Sequence, residues 1–231
     1  MSSNNTELLR KYINDKGEFD FNLLTPMPED IRDTTSGGHV KELVALYLLQ
    51  YNTLPACREI YGQYPQLIPM GIDFRKKKQT VQELIRRVGG QLFDEVKRRD
   101  PDSDDYKEIT IKTLSGGDYW DIFMKYGYLD WYQWACGNWS TKWNACNTEV
   151  SGSDIYFDTP WNPPFKVFEA ICAAWPDEYI YFYCDEEAGE FWEMQNDHGI
   201  LACTRHGFSQ YDEEKDEDIE IDDTEEFLKH W

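Results

Sequence analysis

The change of hydrophobic period between residues 154 and 194 constrains the fold more than any other feature of the sequence. In DIYFDTPW, Ile155 and Phe157 share one face while Tyr156 and Asp158 share the other, which predicts a half-buried strand. FKVFEAICAAW follows two prolines and has apolar residues at helical spacing, so it predicts an amphipathic helix. YIYFYC and EFWEM, joined by the turn DEEAG, predict a β-hairpin, and HGILACTRHGF predicts one further strand.

The upstream part of the chain predicts one strand and several helices. Phe19, Phe21 and Leu23 alternate with polar residues, which is typical of a strand. Helical patterns cover residues 6–14, 40–52, 55–64 and 79–99, and Gly89-Gly90 weaken the last of these by about 1 kcal/mol each. We expect an exposed loop over residues 100–118 and a helix over residues 118–140 that is broken at Gly127.

This order of elements indicates an α+β protein. Strand, helices, strand, helix and hairpin fit a βαββαβ arrangement, a ferredoxin-like antiparallel sheet with helices on one face and an N-terminal helical insertion. We expect residues 1–118 to form the N-terminal strand and a helical region. Residues 119–211 would form the ferredoxin-like region and share one core with it, and residues 212–231 would form an acidic tail.

The net charge of −21 is distributed unevenly along the chain. Residues 1–74 carry −4, residues 75–99 carry +6, residues 100–211 carry −14 and residues 212–231 carry −9. Such an acidic body disfavours extensive nucleic-acid binding, because neutralising phosphates requires positive charge. It fits a solvated surface, a basic protein partner or the mimicry of a polyanion.

Local runs of acidic residues are the candidate contacts for a basic partner. They are Asp102, Asp104, Asp105, Asp185, Glu186, Glu187, Asp212, Glu213, Glu214, Asp216, Glu217 and Asp218.

A nucleic-acid contact is the alternative. FRKKKQ leads into the helix predicted over residues 79–99, and a basic helix can bind phosphates. Tyr179, Tyr181 and Tyr183 alternate along one strand, where rings can stack on unpaired bases. Pairing of these basic residues with the acidic body is the simpler interpretation. The candidate contacts are Arg75, Lys76, Lys77, Lys78, Arg86 and Arg87.

Other chemistry lacks a matching pattern, so we expect no catalytic residues, cofactor or metal. Of His198, Cys203 and His206, only the last two have a zinc-ligand spacing, and residues three apart on a strand point to opposite faces. The glycine pairs lack the residues of a phosphate-binding loop. Six scattered cysteines and a polar N-terminus favour reduced thiols in the cytoplasm of a host cell, without membrane attachment.

The segments GNWSTKWNACN (137–147) and IYFDTPWNPP (155–164) resemble the signature of the YubB-like family of plasmids and phages. FDFNLLTPMPEDI and YGYLDWYQWACGNW match the family pattern as well, so the similarity spans residues 19–195. Ser140, Pro160 and Asn162 replace the usual small or polar residues. The resemblance implies a C-terminal ferredoxin-like domain and a mobile-element origin, and it implies no catalytic residues. It favours a structural role for the tryptophans Trp139, Trp143 and Trp161 in joining the aromatic helix to the sheet.

Together these features predict a non-enzymatic accessory protein of a plasmid or phage. We expect it to bind a host protein, either a nucleic-acid-binding enzyme or a defence complex, through acidic residues that mimic nucleic acid. The alternative is a nucleic-acid-binding ferredoxin-like module that uses the basic 75–99 segment and an aromatic sheet face.

Overall fold

The computed structural model describes residues 1–36, 39–72, 77–89, 95–99, 108–112, 114–185, 191–206, 209–212 and 217–220. The helices are α1 (Thr6–Arg10), α2 (Glu29–Arg32), α3 (Val40–Tyr51), α4 (Leu54–Gln63), α5 (Lys77–Val88), α6 (Gly116–Tyr126), α7 (Trp131–Trp139) and α8 (Phe165–Ala174), with 3-10 turns at Phe21–Leu23 and Pro65–Leu67. The strands are β1 (Ser2–Ser3), β2 (Glu95–Arg99), β3 (Glu108–Lys112), β4 (Cys146–Ser151), β5 (Asp154–Asp158), β6 (Ile180–Asp185), β7 (Phe191–Asp197), β8 (Ile200–His206), β9 (Ser209–Asp212) and β10 (Glu217–Glu220). The protein thus mixes helix and sheet.

The chain forms two compact units. The first contains residues 1–28 and 132–231, and the second contains residues 29–131. The N-terminal segment therefore belongs with the C-terminal sheet, and the boundary expected after residue 118 falls inside the second unit.

The first unit contains an open antiparallel sheet of six strands in the order β4-β5-β1-β6-β7-β8. Ser2 pairs with both Asp154 and Tyr181, so the two-residue strand β1 lies between β5 and β6. A bulge between Cys146 and Glu149 shifts the register of the edge strand β4 against β5. β9 pairs with β10 in a separate two-stranded sheet.

Helix α8 packs its apolar stripe into the core of this unit. Phe168 stacks on Phe182 with a ring-centroid distance of 4.1 Å, and Phe165 meets the ring of Trp192 edge to face at 5.1 Å. Both sheet residues are fully buried. The predictions of α8 and of the hairpin β6–β7 are confirmed, because buried apolar residues recur at the periods that the sequence displays.

The strand predicted around Phe19, Phe21 and Leu23 is wrong. Phe21–Leu23 is a 3-10 turn, in which the carboxylate of Asp20 accepts a hydrogen bond from the backbone N–H of Asn22 at 2.9 Å. Such a local side-chain bond offers the backbone an alternative to an extended ladder. Phe19 and Phe21 are nevertheless buried, so the apolar pattern identifies core residues although it misassigns their backbone.

The single helix predicted over residues 79–99 is also wrong. α5 ends at Val88, immediately before the Gly89-Gly90 pair, and residues 95–99 form the strand β2 paired with β3. Glycine favours helix termination because it loses more conformational entropy in a helix than other residues. The predicted loop over residues 100–118 likewise contains β3 and the start of α6. The basic segment is therefore divided between a helix and a strand.

The second unit is mainly helical, with a core made by α3, α4, α5 and α6. Val44, Leu48 and Leu84 are fully buried at its centre. Helix α6 begins with a capping box, in which Ser115 and Asp118 exchange side-chain and backbone hydrogen bonds. Gly127 follows the last residue of α6 and has a left-handed conformation, which confirms the helix break predicted at this residue.

Candidate protein-binding face

The alternation of side chains along the six strands gives the sheet two different faces. Ile155, Ile180, Phe182, Trp192 and Met194 are buried on the inner face, which packs against the core. Successive side chains of a strand point to opposite sides, so their neighbours lie on the other side, which we call the outer face.

All six acidic residues of the six strands lie on the outer face. The observed pairings place Tyr156 beside Glu149, Tyr183 beside Glu193, and Asp154 in line with Tyr181 through Ser2. The carboxylates are Glu149, Asp154, Asp158, Asp185, Glu193 and Asp197.

Positive charge is nearly missing from the same strands, all of which the structure describes. They contain no lysine and one arginine, Arg205, which pairs across the ladder with the inner-face residue Trp192. Its guanidinium lies 5.5 Å from the centre of the Trp192 ring. The outer face therefore presents negative charge without an arginine or lysine of its own strands to compensate it.

Aromatic rings separate the carboxylates on the outer face. Tyr156 and Tyr183 are 56% and 49% exposed. The ring of Phe191 lies 5.6 Å from that of Tyr183 and stacks on the imidazole of His206 at 4.7 Å, so three rings form a continuous row across β6, β7 and β8. Rings beside carboxylates suit cationic side chains, which are attracted to both.

Glu193 lies at the centre of this arrangement. Its Oε1 accepts a hydrogen bond from the hydroxyl of Tyr181 at 2.8 Å, and its Oε2 lies 3.1 Å from Nε2 of His206. Desolvation, the hydrogen bond to Glu193 and the negative charge of that carboxylate together raise the pKa of Tyr181 to about 12. The contacts hold the Glu193 carboxylate in one position on the exposed surface.

Replacing Glu193 by glutamine is expected to lower the pKa of Tyr181 from about 12 toward 10. Glutamine keeps an oxygen that can accept the hydrogen bond but removes the charge that opposes formation of the phenolate. The Cζ chemical shift of ¹³C-labelled tyrosine, followed against pH, measures this change. Asp197→Asn is the matched control. Asp197 lies as far along β7 from Gln195, the residue paired with Tyr181, as Glu193 does, but the hydroxyl of Tyr181 donates its hydrogen bond to Glu193. An equal shift in both variants would contradict the local interaction.

The acidic residues proposed from sequence fall into three groups. Asp185 ends β6 on the outer face and is exposed. Three residues belong to the β9–β10 ladder, in which Asp212 pairs with Glu217 and Asp218 pairs with Tyr211. The remainder lie outside the described residues: Asp102, Asp104, Asp105, Glu186, Glu187, Glu213, Glu214 and Asp216.

The basic residues of the alternative site are divided in a similar way. Arg75 and Lys76 lie outside the described residues, and Lys77 and Lys78 begin α5. Arg86 forms an ion pair with Glu83 at 2.7 Å.

Arg87 is engaged within the second unit. Its guanidinium contacts Glu83 at 2.9 Å, Glu42 at 3.3 Å and the carbonyl oxygen of Met70 at 2.7 Å. Arg86 and Arg87 therefore pair within the chain, as the simpler interpretation expects, but with Glu42 and Glu83 rather than with the acidic body.

The interpretation that three tryptophans join helix and sheet is wrong for Trp143 and Trp161, whereas Trp139 packs on the 3-10 turn and the loop that follows it. Trp139 is buried, meets the ring of Phe21 edge to face at 5.6 Å and donates its indole N–H to the carbonyl of Thr25 at 2.9 Å. Trp143 and Trp161 are 54% and 74% exposed. Their loops contain the turn residues Asn144, Pro160 and Asn162, which place the two indoles outside the core.

Among the described residues, no three or more His, Cys, Asp or Glu side chains are placed to bind a metal ion together. None of the described helices has the length and apolarity needed to cross a membrane.

Comparison of the chain with family models, with curated proteins and with solved structures gives no match. The resemblance to the YubB-like family stays a prediction that rests on the quoted segments. Any function must be argued from the geometry of the chain.

Sequence reasoning identified Tyr181, Tyr183 and Asp185 but missed most of the outer-face carboxylates. Local density in the sequence selects acidic runs, whereas the missed carboxylates are scattered one or two at a time over the three strands β4, β5 and β7: Glu149, Asp154, Asp158, Glu193 and Asp197. A signal for them was present, because EFWEMQND places Glu193 and Asp197 at even spacing from Phe191.

Proposed function

We propose that this is a non-enzymatic accessory protein of a plasmid or phage, and that it binds a host protein through the outer face of its sheet. The partner is a nucleic-acid-binding enzyme or a defence complex with a basic surface. By occupying that surface the protein mimics nucleic acid and inhibits the partner. The observation that carries the proposal is the gathering of six carboxylates on one sheet face whose strands contribute no lysine or arginine to it.

Electrostatics supports a basic partner in two ways. A surface of one sign accelerates encounter with the opposite sign and repels partners of the same sign. The chain as a whole carries −21, so the field of the face is reinforced by the remainder of the protein. A duplex or single strand of nucleic acid would be repelled by the same field.

The aromatic rings supply binding energy that exposed charges alone do not provide. Exposed salt bridges contribute only about 0–1 kcal/mol each, whereas aromatic and arginine residues dominate the energetics of protein interfaces. Tyr183, Phe191 and Tyr156 give an arginine guanidinium flat surfaces on which to stack, with Glu193 and Asp154 beside them as acceptors. Specific recognition of arginine-rich surfaces follows from this combination.

The size of the face indicates that other acidic residues contribute to binding. Six strands at about 4.8 Å spacing and about 17 Å long give roughly 400 Å² of flat area. A standard interface buries about 800 Å² on each partner. Residues 212–231, with a charge of −9, are the second contribution that we propose.

We also propose that the first unit is ferredoxin-like. In chain order, the strand β1 is followed by the hairpin β4–β5 and then by the strand β6. The order of these four strands in the sheet is β4-β5-β1-β6. Here β1 and β4 are separated by β5, as in a split βαβ unit, and β7 and β8 extend the sheet at one edge. α1 and α8 take the places of the two helices.

The alternative, a nucleic-acid-binding module, has less support. The positive charge of Arg87 is paired with Glu42 and Glu83, and a phosphate would have to compete with these carboxylates for it. On the aromatic face, Glu193 and Asp154 lie among the rings on which bases would stack.

Neutralising three outer-face carboxylates tests the proposal. We expect the triple variant Asp154→Asn, Asp185→Asn, Glu193→Gln to bind the captured host partner about tenfold more weakly, at about 0.5 kcal/mol for each charge. The full chain is used to capture the partner from nuclease-treated host lysate. The dissociation constant of the purified partner is then measured at 50 and 200 mM salt, with and without competing duplex DNA.

The matched control is Asp33→Asn, Glu59→Gln, Asp121→Asn, which makes the same change in charge at three exposed positions of the second unit. Mimicry requires that duplex DNA and the protein compete for the partner. Equal weakening by both triple variants would contradict a role for the outer face. If nuclease treatment alone abolishes capture, nucleic acid is the ligand and the alternative is correct.

A further inference from the structure

Two exposed tryptophans hold a lysine of the same chain between them. The ammonium nitrogen of Lys142 lies 4.0 Å from the ring centre of Trp143 and 3.8 Å from that of Trp161. Both distances are well within the range of a cation–π interaction. The two indoles thus form an aromatic clamp around a cation.

The clamp is built by two loops that leave the sheet side by side. Cys146 at the start of β4 pairs with Asp158 at the end of β5, so the loops before and after this pair are neighbours. The hydroxyl of Thr141 in the first loop donates to the carbonyl oxygen of Pro160 in the second at 3.2 Å. This bond links the loop that carries Trp143 to the loop that carries Trp161.

The backbone at Trp161 is strained. Its φ is +68°, and the N–H of Asn162 donates to the carbonyl oxygen of Pro160 at 2.9 Å, which makes Trp161 the centre of a γ-turn of the rare form with positive φ. The hydroxyl of Thr159 donates to the carbonyl of Asn162 at 2.9 Å and closes the turn. A bulky side chain in this conformation is costly, since the region favours glycine.

Packing does not account for this strain. The Trp161 side chain is 74% exposed and that of Trp143 is 54% exposed, so little apolar area is buried in return. Residues held in such conformations cluster at active sites, ligand clamps and switch regions.

We propose that Trp143 and Trp161 bind the methylated ammonium group of a lysine in a partner protein, and that Lys142 is the resident occupant that this group displaces. The proposal does not depend on the charge of the outer face, although Asp158 of that face lies at the base of the loop that carries Trp161.

The chemistry of the clamp favours a methylated over an unmodified ammonium. An unmodified ammonium is a compact and strongly hydrated charge, so it loses much hydration between two rings. N-methyl groups weaken that hydration while keeping the positive charge, and aromatic cages recognise such groups. Lys142 competes in spite of its poorer fit, because its neighbour in sequence is one wall of the clamp and its binding costs no association entropy.

Titration with tetramethylammonium chloride, followed by the ¹H shift and line width of its methyl signal, tests the site in the full chain. We expect Lys142→Gln to bind the probe about two- to fivefold more tightly than the natural chain, since the competing cation is removed. Trp161→Ala is expected to lose binding, and Trp161→Phe to retain part of it. Lys166→Gln, at a partly buried lysine of the first unit that pairs with Glu169, is expected to leave binding unchanged.

Each outcome decides the proposal. Unchanged or weaker binding by Lys142→Gln would overturn it, because Lys142 would then not compete. Binding that survives in Trp161→Ala would place the probe elsewhere on the acidic surface. Ammonium chloride, added as a competitor of the probe, measures the preference of the site for methyl groups. If ammonium displaces tetramethylammonium at equal concentration as well as unlabelled tetramethylammonium would, the assignment of a methylated ligand is overturned. All these variants keep the outer-face carboxylates, so failure here leaves the proposed function open to its own test.

Discussion

Replacing Trp192 by alanine is expected to lower the free energy of unfolding by about 3–5 kcal/mol. The Trp192 side chain is fully buried on the inner face of the sheet, where Phe165 of α8 meets its ring at 5.1 Å. Its removal loses the transfer free energy of a large aromatic group and leaves a cavity that the surrounding side chains fill only partly. Urea unfolding followed by circular dichroism measures the change.

Trp161→Ala is the matched control for this measurement, since the same side chain is removed from an exposed position. We expect its free energy of unfolding to stay within about 0.5 kcal/mol of that of the natural chain. A loss at Trp161 as large as that at Trp192 would mean that Trp161 supports the fold, and the strain at its φ of +68° would then have a structural explanation.

The contrast between the two tryptophans shows what sequence alone could decide. Trp192 lies in a strand whose alternation with polar residues predicts that it is buried. Trp161 lies among turn residues, where a large apolar side chain fits a core or a ligand site equally well. Its exposure depends on the path of two loops, which the pairing of Cys146 with Asp158 brings side by side.

The elements that sequence reasoning assigned correctly have long, regular apolar patterns. Helices α3, α6 and α8 and strands β5 to β8 belong to this group. β1 has two serines and no apolar pattern, and it becomes a strand only because β5 and β6 supply partners on both sides. The sequence predicts helix where strand β2 lies, because Val96 continues the helical spacing of the preceding residues although two glycines intervene.

The candidate face could be predicted only in part for a related reason. Alternation assigns each carboxylate to one side of its own strand, and Tyr156 with Asp158 or Tyr181 with Tyr183 follow directly. Which sides of different strands coincide depends on register, as in the pairing of Tyr183 with Glu193. Register is a long-range property, and a slip by one residue would move a whole row to the core.

The two faces of the sheet serve stability and the proposed binding separately. Apolar residues on the inner face stabilise the unit, so the outer face is under no packing constraint and can carry charge that opposes folding by self-repulsion. Six like charges on one surface lower the stability of the unit by mutual repulsion. The proposed partner supplies the opposite charge.

Gly116→Ala is expected to destabilise the second unit by about 3 kcal/mol. A Cβ at this position would overlap the carbonyl oxygen of Leu43 and lie 2.6 Å from its carbonyl carbon, which are backbone atoms of α3. Backbone of a packed helix has no alternative rotamer, so α6 must move away from α3 and loosen the core around Leu48 and Phe123. Urea unfolding followed by circular dichroism at 222 nm, which reports mainly on helix, measures the effect.

Gly62→Ala separates this close approach from the general effect of removing a glycine. Gly62 lies in α4 of the same unit, and a Cβ there would meet no atom within 4 Å. Both substitutions restrict the unfolded chain equally, so their difference reports on the folded state. We expect Gly62→Ala to raise stability by about 0.5 kcal/mol, because alanine is the better helix former. If both variants are stabilised alike, α3 and α6 do not pack as closely as the distance from Gly116 to Leu43 requires.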